Sequence, residues 1–140
     1  MKLILVLVAI AVLGALCVSC AVFFGKKANR ANVPAPYESL GVDDFQTFIA
    51  DENVQLLDVR SREEYEEGHI AGATLVDVND SAFVDNAMAV LDAQRPVAVY
   101  CRSGRRSARA ASLLSSQGLA VTNLEGGVLA WQDAGKALVK

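Results

Sequence analysis

The sequence predicts an α/β domain in which an open, mostly parallel sheet of about five strands carries helices on both faces. Short apolar runs that fit buried strands alternate with segments of helical periodicity, which is typical of β-α units around a parallel sheet. A length of 140 residues is sufficient for one domain of ordinary size. Strands are predicted at 39–42, 55–59, 73–78, 97–100 and 121–124.

The first two helices are predicted from their capping residues. Asp43, with Gln46 three residues later, fits an N-cap for a helix after the first strand. Ser61 and Glu64 have the spacing of a capping box, which predicts a short acidic helix that Gly68 ends.

The later helices are predicted from the residues at their ends and from the residues that share one face. Asp80 or Ser81 is expected to begin the third helix, and Pro96 marks the exit from it. A fourth helix is predicted over 107–117, where small and apolar residues share one face. A last helix carries Trp131, which we expect to pack in the core.

A long apolar run precedes the domain. From Leu3 to Phe24 no residue is charged over 22 positions, and a helix of about 20 apolar residues matches a hydrocarbon core of roughly 30 Å. The run therefore predicts either a retained membrane anchor or a cleavable signal peptide within residues 1–25. A third alternative is a lipid attached to Cys20, as in bacterial lipoproteins.

Residues 26–37 contain two prolines and are interpreted as a linker, which leaves 38–140 as the folded domain. The cationic residues after the apolar run slightly outweigh Lys2 and the amino terminus, which favours a cytoplasmic domain if the segment is a retained anchor. Cleavage or lipidation would place the domain outside. We expect a protein of the cell envelope of a bacterium, with the membrane side left open.

The three cysteines do not form a disulfide framework. Cys17 and Cys20 lie within the apolar run, so Cys101 is the lone thiol of the folded part. No cluster of metal ligands is present, and we expect neither a metal nor an organic cofactor. The formal net charge is −3; we expect a monomer without a nucleic-acid partner.

The segment YCRSGRRS at 100–107 is the strongest candidate for a site. Cys101 follows a predicted strand at the carboxyl edge of the sheet, where ligands of open α/β sheets gather. A loop leading into a helix presents free N–H groups and the positive end of the helix dipole, and Gly104 permits a sharp turn there. The nearby arginines add positive charge that favours the thiolate. The alternative is a cysteine that fills a core gap beside solvated arginines; the combination of features favours a site.

Three ordered motifs carry a resemblance to a known family. They are LLDVRSREEYEEGHIAGA at 56–73, VAVYCRSGRRSARAA at 97–111 and LEGGVLAW at 124–131. The sequence from about Val42 to the C-terminus resembles the rhodanese family of single-domain sulfurtransferases. The resemblance implies a rhodanese-like fold.

The resemblance also implies roles for individual residues. Cys101 corresponds to the nucleophile that accepts sulfur. Arg60 corresponds to a residue near the pocket mouth that contacts an anionic substrate, with a structural salt bridge as the alternative. Asp58 and His69 correspond to structural positions, catalysis by the only histidine being the less favoured alternative. The remaining substrate-binding residues implied are Arg102, Ser103, Gly104, Arg105, Arg106 and Ser107.

The implied reaction is ping-pong sulfur transfer. The Cys101 thiolate takes the outer sulfur of thiosulfate or a similar small anionic donor, and a thiol, or cyanide in an assay, removes it. Three alternatives stay open at this point: a phosphatase, a persulfide carrier that serves a partner protein, and a non-catalytic protein-binding module. Phosphatase loops of related folds place an arginine six positions after the cysteine, where this chain has Ser107.

Overall fold

A computed structural model describes residues 37–140. The predicted signal peptide or anchor at 1–25, with Cys20, and nearly all of the linker lie outside the described residues. In the part that is described, no helix is long and apolar enough to cross a membrane. The strands are β1 Glu38–Leu40, β2 Gln55–Asp58, β3 Thr74–Leu75, β4 Val97–Tyr100 and β5 Val121–Leu124. The helices are α1 Val42–Ile49, α2 Arg62–Glu67, α3 Phe83–Val90, α4 Arg105–Ser116 and α5 Gly127–Asp133.

The five strands form one sheet in the order β1-β5-β4-β2-β3. Every strand pair is parallel. β4 lies at the centre, where Val99 is in register with Leu57 of β2 on one side and with Asn123 of β5 on the other. The predicted parallel sheet of about five strands is therefore confirmed.

Alternate residues of β4 supply two separate cores. Val97 and Val99 pack on the face covered by α3 and α4, whereas Ala98 and Tyr100 pack on the face covered by α1 and α5. Because a central parallel strand is buried on both faces, its sequence is continuously apolar rather than alternating. The helices thus lie on both faces of the sheet, as predicted.

The first helix begins earlier than its sequence suggests. Gly41 in extended backbone is the N-cap of α1, and its carbonyl accepts a 2.9 Å hydrogen bond from Phe45 N–H. The prediction that Asp43 caps the helix is therefore wrong. Asp43 lies in the first turn instead, where a carboxylate interacts favourably with the helix dipole. The early start also limits β1 to three residues rather than the predicted 39–42.

The region after β2 differs most from the prediction. β3 has only two residues, because Asp77 ends the extended segment in a turn: its Oδ1 accepts the Asn79 N–H at 2.8 Å. Asp80 also closes a turn, in which its Oδ1 accepts the Ala82 N–H at 2.8 Å. Ala82, without a side-chain cap, is the N-cap of α3, so neither Asp80 nor Ser81 fills that role. Aspartate side chains commonly form such local turns in place of helix caps.

Candidate active site

Cys101 lies directly after the central strand β4, at the carboxyl edge of the sheet. α4 begins at Arg105, two residues earlier than predicted, because Gly104 adopts φ +95° as its N-cap. The turn between strand and helix is consequently very short. Arg105 and Arg106 lie in the first helical turn and not in a loop.

The Cys101 sulfur is buried and accepts two hydrogen bonds. The Gly104 N–H donates to Sγ at 3.1 Å and the Ser107 hydroxyl donates at 3.3 Å. The Ser107 hydroxyl also lies 3.2 Å from the Gly104 carbonyl, so its single hydrogen is shared between two acceptors. Burial raises the pKa of the Cys101 thiol, but hydrogen bonds from the Ser107 side chain and from backbone amides outweigh it and lower the pKa below its ordinary value. The site therefore favours the thiolate.

Two backbone hydrogen bonds from α5 hold the turn at 101–104, which we call the cysteine turn. The Val128 N–H donates to the Cys101 carbonyl at 2.9 Å, and the Leu129 N–H donates to the Arg102 carbonyl at 3.1 Å. Gly127 makes this close approach possible. A Cβ there would overlap the Cys101 carbonyl oxygen and lie 2.6 Å from that of Arg102, and its φ of +59° also favours glycine.

An ion pair joins α2 to the first turn of α4. Arg106 donates to both carboxylate oxygens of Glu64, at 2.8 and 2.7 Å. Glu64 also accepts the Ser61 N–H at 3.1 Å, and Ser61 Oγ accepts the Glu64 N–H, so the predicted capping box is confirmed. The hydrogen bond from Arg106 lowers the pKa of Glu64 to about 2. The charge of Arg106 is thus largely neutralised by Glu64.

Arg60 and Asp58 form a second, fully buried pair. Arg60 donates to Asp58 Oδ2 at 2.6 Å and to the Gly68 carbonyl at 2.7 Å. Arg60 is only 4% exposed. This is the structural salt bridge that the sequence left as an alternative for Arg60. Contact between Arg60 and a substrate stays a prediction. Through Arg60, Asp58 is connected to the Gly68 carbonyl, and its structural role stays a prediction.

His69 and Trp131 are held by contacts away from the sulfur. The His69 ring stacks on Tyr65 at 3.7 Å between centroids, and its Nδ1 lies 3.0 Å from the Tyr65 carbonyl. Trp131 is buried and donates through Nε1 to the Ala137 carbonyl at 3.0 Å. These contacts fit the structural roles expected of both residues.

The structure thus brings together only part of the predicted set. Cys101, Gly104 and Ser107 meet at the sulfur, while the side chains of Arg102, Ser103 and Arg105 are exposed at the surface beside it. An open groove of about 510 Å³ lies at the opposite edge of the sheet, where its lining includes Glu38, Pro96 and Val121 at or beside the starts of strands. Its position separates it from the sulfur.

Sequence reasoning missed two contributors to the site. Glu64 was recognised only as a helix cap, because its partner Arg106 lies 42 residues further along the chain. Gly127 was recognised only as part of a motif. The available signal was a pair of glycines directly between a strand and a helix, which indicates a close backbone approach.

Comparisons with known proteins identify the family of the chain. A family described as Rhodanese-like domain matches residues 41–134. A sulfurtransferase of Allochromatium vinosum is 36% identical over 89 residues, which cover 63% of this chain and 80% of that protein. Thiosulfate sulfurtransferase GlpE of Shewanella oneidensis is 34% identical over 100 residues, which cover 70% and 95% of the two chains. The crystal structure of a rhodanese-related protein from Thermoplasma volcanium superposes with a TM-score of 0.65 at 31% identity, covering 74% and 98%.

Fold and site together define a class of α/β protein in which a cysteine follows a central parallel strand and is enclosed by the start of a helix. The chain belongs to the family of rhodanese-like domains. Relatives at similar levels of identity are named sulfurtransferases.

Proposed function

We propose that this protein is a sulfurtransferase, which moves a sulfane sulfur from thiosulfate or a similar anion to a thiophilic acceptor through a persulfide on Cys101. The observation that carries the proposal is the environment of the sulfur. A buried thiol accepts hydrogen bonds from Gly104 and Ser107, and its pKa is lowered in spite of burial. Such an environment suits a nucleophilic thiolate.

In the first half-reaction the Cys101 thiolate attacks the outer sulfur of thiosulfate. A bond forms between Sγ and that sulfur, the sulfur–sulfur bond of thiosulfate breaks, and sulfite leaves with the electron pair. The N–H of Gly104 and the hydroxyl of Ser107 donate to Sγ and so favour the thiolate that makes this attack. The exposed cations Arg102 and Arg105 attract the anionic donor.

In the second half-reaction an acceptor attacks the outer sulfur of the persulfide. The bond between Sγ and that sulfur breaks, and Cys101 regains its thiolate. With cyanide as acceptor the product is thiocyanate. No change in net charge or oxidation state is left on the protein, so the cycle needs no cofactor.

Two features disfavour the alternatives. Phosphatase loops of related folds hold phosphate with an arginine at the sixth position after the cysteine, but that position is Ser107 here, and Arg106, at the fifth, is paired with Glu64. A non-catalytic binding module has no use for a thiol with a lowered pKa. A persulfide carrier shares the same first step and differs only in its acceptor.

The test is thiocyanate formation from thiosulfate and cyanide by the full chain, with Cys101→Ser as the matched variant. We expect turnover by the native protein and none by the variant. Iodoacetamide labelling, mapped to the peptide that contains Cys101 because the full chain also has Cys17 and Cys20, checks that Cys101 of the native protein is reactive. A folded protein with a reactive Cys101 that forms no thiocyanate would overturn the thiosulfate assignment and leave the carrier alternative.

We also propose that residues 3–24 place the protein in a bacterial cell envelope, as an anchor, a signal or a lipoprotein modified at Cys20. The basis is the uncharged run of 22 residues. Cell fractionation followed by protease treatment of the outer face tests this. A chain recovered only in the cytosol would contradict it.

A further inference from the structure

Arg106 differs in its surroundings from the other arginines of the segment 102–109. The other three are exposed, whereas the Arg106 side chain is 29% exposed. Arg106 directly precedes Ser107, whose hydroxyl donates to Cys101 Sγ at 3.3 Å. The hydrogen bond to Glu64 raises the pKa of Arg106, and the negative charges of Glu64 and of the Cys101 thiolate raise it further. Arg106 is therefore a half-buried cation within electrostatic reach of the sulfur.

Two sets of contacts fix the Glu64 carboxylate. On its own helix, Oε2 accepts the Ser61 N–H at 3.1 Å as part of the capping box. From α4, the two terminal nitrogens of Arg106 donate to Oε2 and Oε1 at 2.8 and 2.7 Å. A pKa of about 2 keeps Glu64 ionised throughout the neutral range. Glu64 and Arg106 therefore form a two-pronged pair without net charge at the first turn of α4.

This pair affects how the surroundings of Sγ interact with oxyanions. An unpaired guanidinium binds a sulfate-like group through two parallel hydrogen bonds, and such bonds are among the stronger ones in proteins. With Arg106 paired, the donors to Sγ from Gly104 and Ser107 carry no charge. The remaining arginines of the segment are exposed, where an ion pair contributes little. Oxyanions should therefore bind weakly at Cys101.

We propose that Glu64 is a specificity-determining residue, which keeps oxyanions weakly bound at Cys101 by pairing with Arg106. The role rests on the proposed sulfur transfer, in which sulfite is released after each first half-reaction. Thiosulfate and sulfite both carry three oxygens on one sulfur, so a free Arg106 would hold donor and product alike and would admit sulfate as a competitor. With the pair in place, discrimination depends on the outer sulfur of the donor, which sulfite and sulfate lack.

The test measures sulfate binding through protection of Cys101, which requires no turnover. The full chain, kept in detergent at constant ionic strength, is alkylated with iodoacetamide at increasing sulfate, and the rate is followed on the peptide that contains Cys101. Bound sulfate slows alkylation because it obstructs the thiol and disfavours the thiolate. Glu64→Gln keeps the shape of the side chain but removes its charge. The sulfate concentration that halves the rate should be about tenfold lower in this variant than in the native protein.

Matched variants assign the effect to Arg106. Glu66→Gln makes the same change in net charge on the same helix, at a 66% exposed carboxylate, and should change the sulfate concentration by less than about twofold. Glu64→Gln combined with Arg106→Gln should bind sulfate as weakly as the native protein, because the freed cation is gone. Glu64→Asp keeps the charge on a shorter side chain and should give an intermediate value. It carries the test if urea unfolding shows that Glu64→Gln does not fold.

Three results would overturn the role of Glu64. One is an unchanged sulfate concentration in Glu64→Gln, or in Glu64→Asp where that variant carries the test. Another is an equal gain in Glu64→Gln and Glu66→Gln. The last is a gain that persists when Arg106→Gln is added, because the effect would then come from the loss of negative charge and not from the release of Arg106.

Thiocyanate formation separates this role from the proposed function. In Glu64→Gln the KM for thiosulfate should fall by about threefold without a rise in kcat, because tighter binding of the donor before reaction does not lower the barrier that follows. A merely structural role of Glu64 would lower kcat or raise KM, so an unchanged or raised KM would overturn the specificity role. If the native protein forms no thiocyanate, the proposed function fails, and the sulfate measurement alone decides on Glu64.

Discussion

Opposing influences act on the sulfur of Cys101. Complete burial favours the neutral thiol, whereas hydrogen bonds to Sγ favour the thiolate. The net result is a lowered pKa. The contribution of Ser107 is separable from that of the backbone, because a hydroxyl can be removed by mutation and an amide cannot.

Ser107→Ala is expected to raise the pKa of Cys101, since the variant loses the donor that interacts with the charged form. The rate of iodoacetamide alkylation should rise with pH through a midpoint that lies higher in the variant. At neutral pH the variant should react several-fold more slowly. Ser112→Ala, at an exposed serine of the same helix, is the control. An unchanged midpoint in Ser107→Ala would assign the lowered pKa to the backbone amides alone.

At the scale of elements, two contacts hold the cysteine turn in place. The start of α5 binds the carbonyls of the turn, and α2 binds the first turn of α4 through Glu64 and Arg106. Neither contact touches the sulfur. Both determine where the N–H and hydroxyl donors lie, because they fix the backbone on either side of Gly104.

Gly127→Ala is expected to displace the turn, because the new Cβ would collide with the carbonyls of Cys101 and Arg102. The free energy of unfolding should fall by about 2–4 kcal/mol and thiocyanate formation by at least about tenfold. Gly135→Ala is the matched control, with φ +75° but open space around the Cβ. It should cost about 1 kcal/mol and keep its activity. Similar losses in both variants would mean that backbone strain, and not the contact with the turn, is responsible.

Glu64→Gln is expected to destabilise the protein by about 1–2 kcal/mol at neutral pH, through loss of a charge-assisted pair. The pKa of Glu64 is lowered from an ordinary 4.5 to about 2 in the folded state. A depressed carboxylate pKa contributes stability above the ordinary value, and this contribution is lost as pH falls toward the folded value. The difference between native protein and variant in urea unfolding should therefore shrink between about pH 5 and pH 2.

Glu66→Gln serves as the control for this experiment. Its carboxylate is 66% exposed and 4.0 Å from Arg62, a distance at which an exposed pair contributes little. A pH-independent difference between native protein and Glu64→Gln would contradict the assignment to the ion pair.

For the whole molecule, charge is distributed unevenly about the sheet. The described residues are strongly acidic, but the carboxyl edge that carries Cys101 also carries the arginines at 102–109. An anionic donor experiences repulsion from the whole surface and attraction near the site. Screening affects both, with a Debye length of about 10 Å at 0.1 M salt and about 3 Å at 1 M.

We expect the local attraction to dominate, so kcat/KM for thiosulfate should fall as salt rises. Alkylation of Cys101 by the neutral reagent iodoacetamide, measured over the same salt range, controls for changes in the thiol itself. A rise of kcat/KM with salt would mean that the net negative charge governs the approach of the donor.

Much of the fold was predictable because its signals are local. β4 and β5 are continuous apolar or half-apolar runs whose observed bounds equal the predicted ones. The α2 capping box is likewise a pattern of neighbours. β3 and the start of α3 were not predictable, since aspartates at 77 and 80 can cap a helix or close a turn and only the packing of the chain decides between them.

The sequence by itself determined the α/β class, the position of Cys101 directly after a strand and the concentration of arginines around it, because each depends on residues close together in the chain. Only the tertiary structure decided which charges pair. Arg106 lies with Glu64, 42 residues earlier in the chain, although sixteen acidic residues were available to it. It also decided that Gly127 supports the cysteine turn. Contacts across tens of residues depend on how the helices pack on the sheet, and no local pattern encodes that geometry.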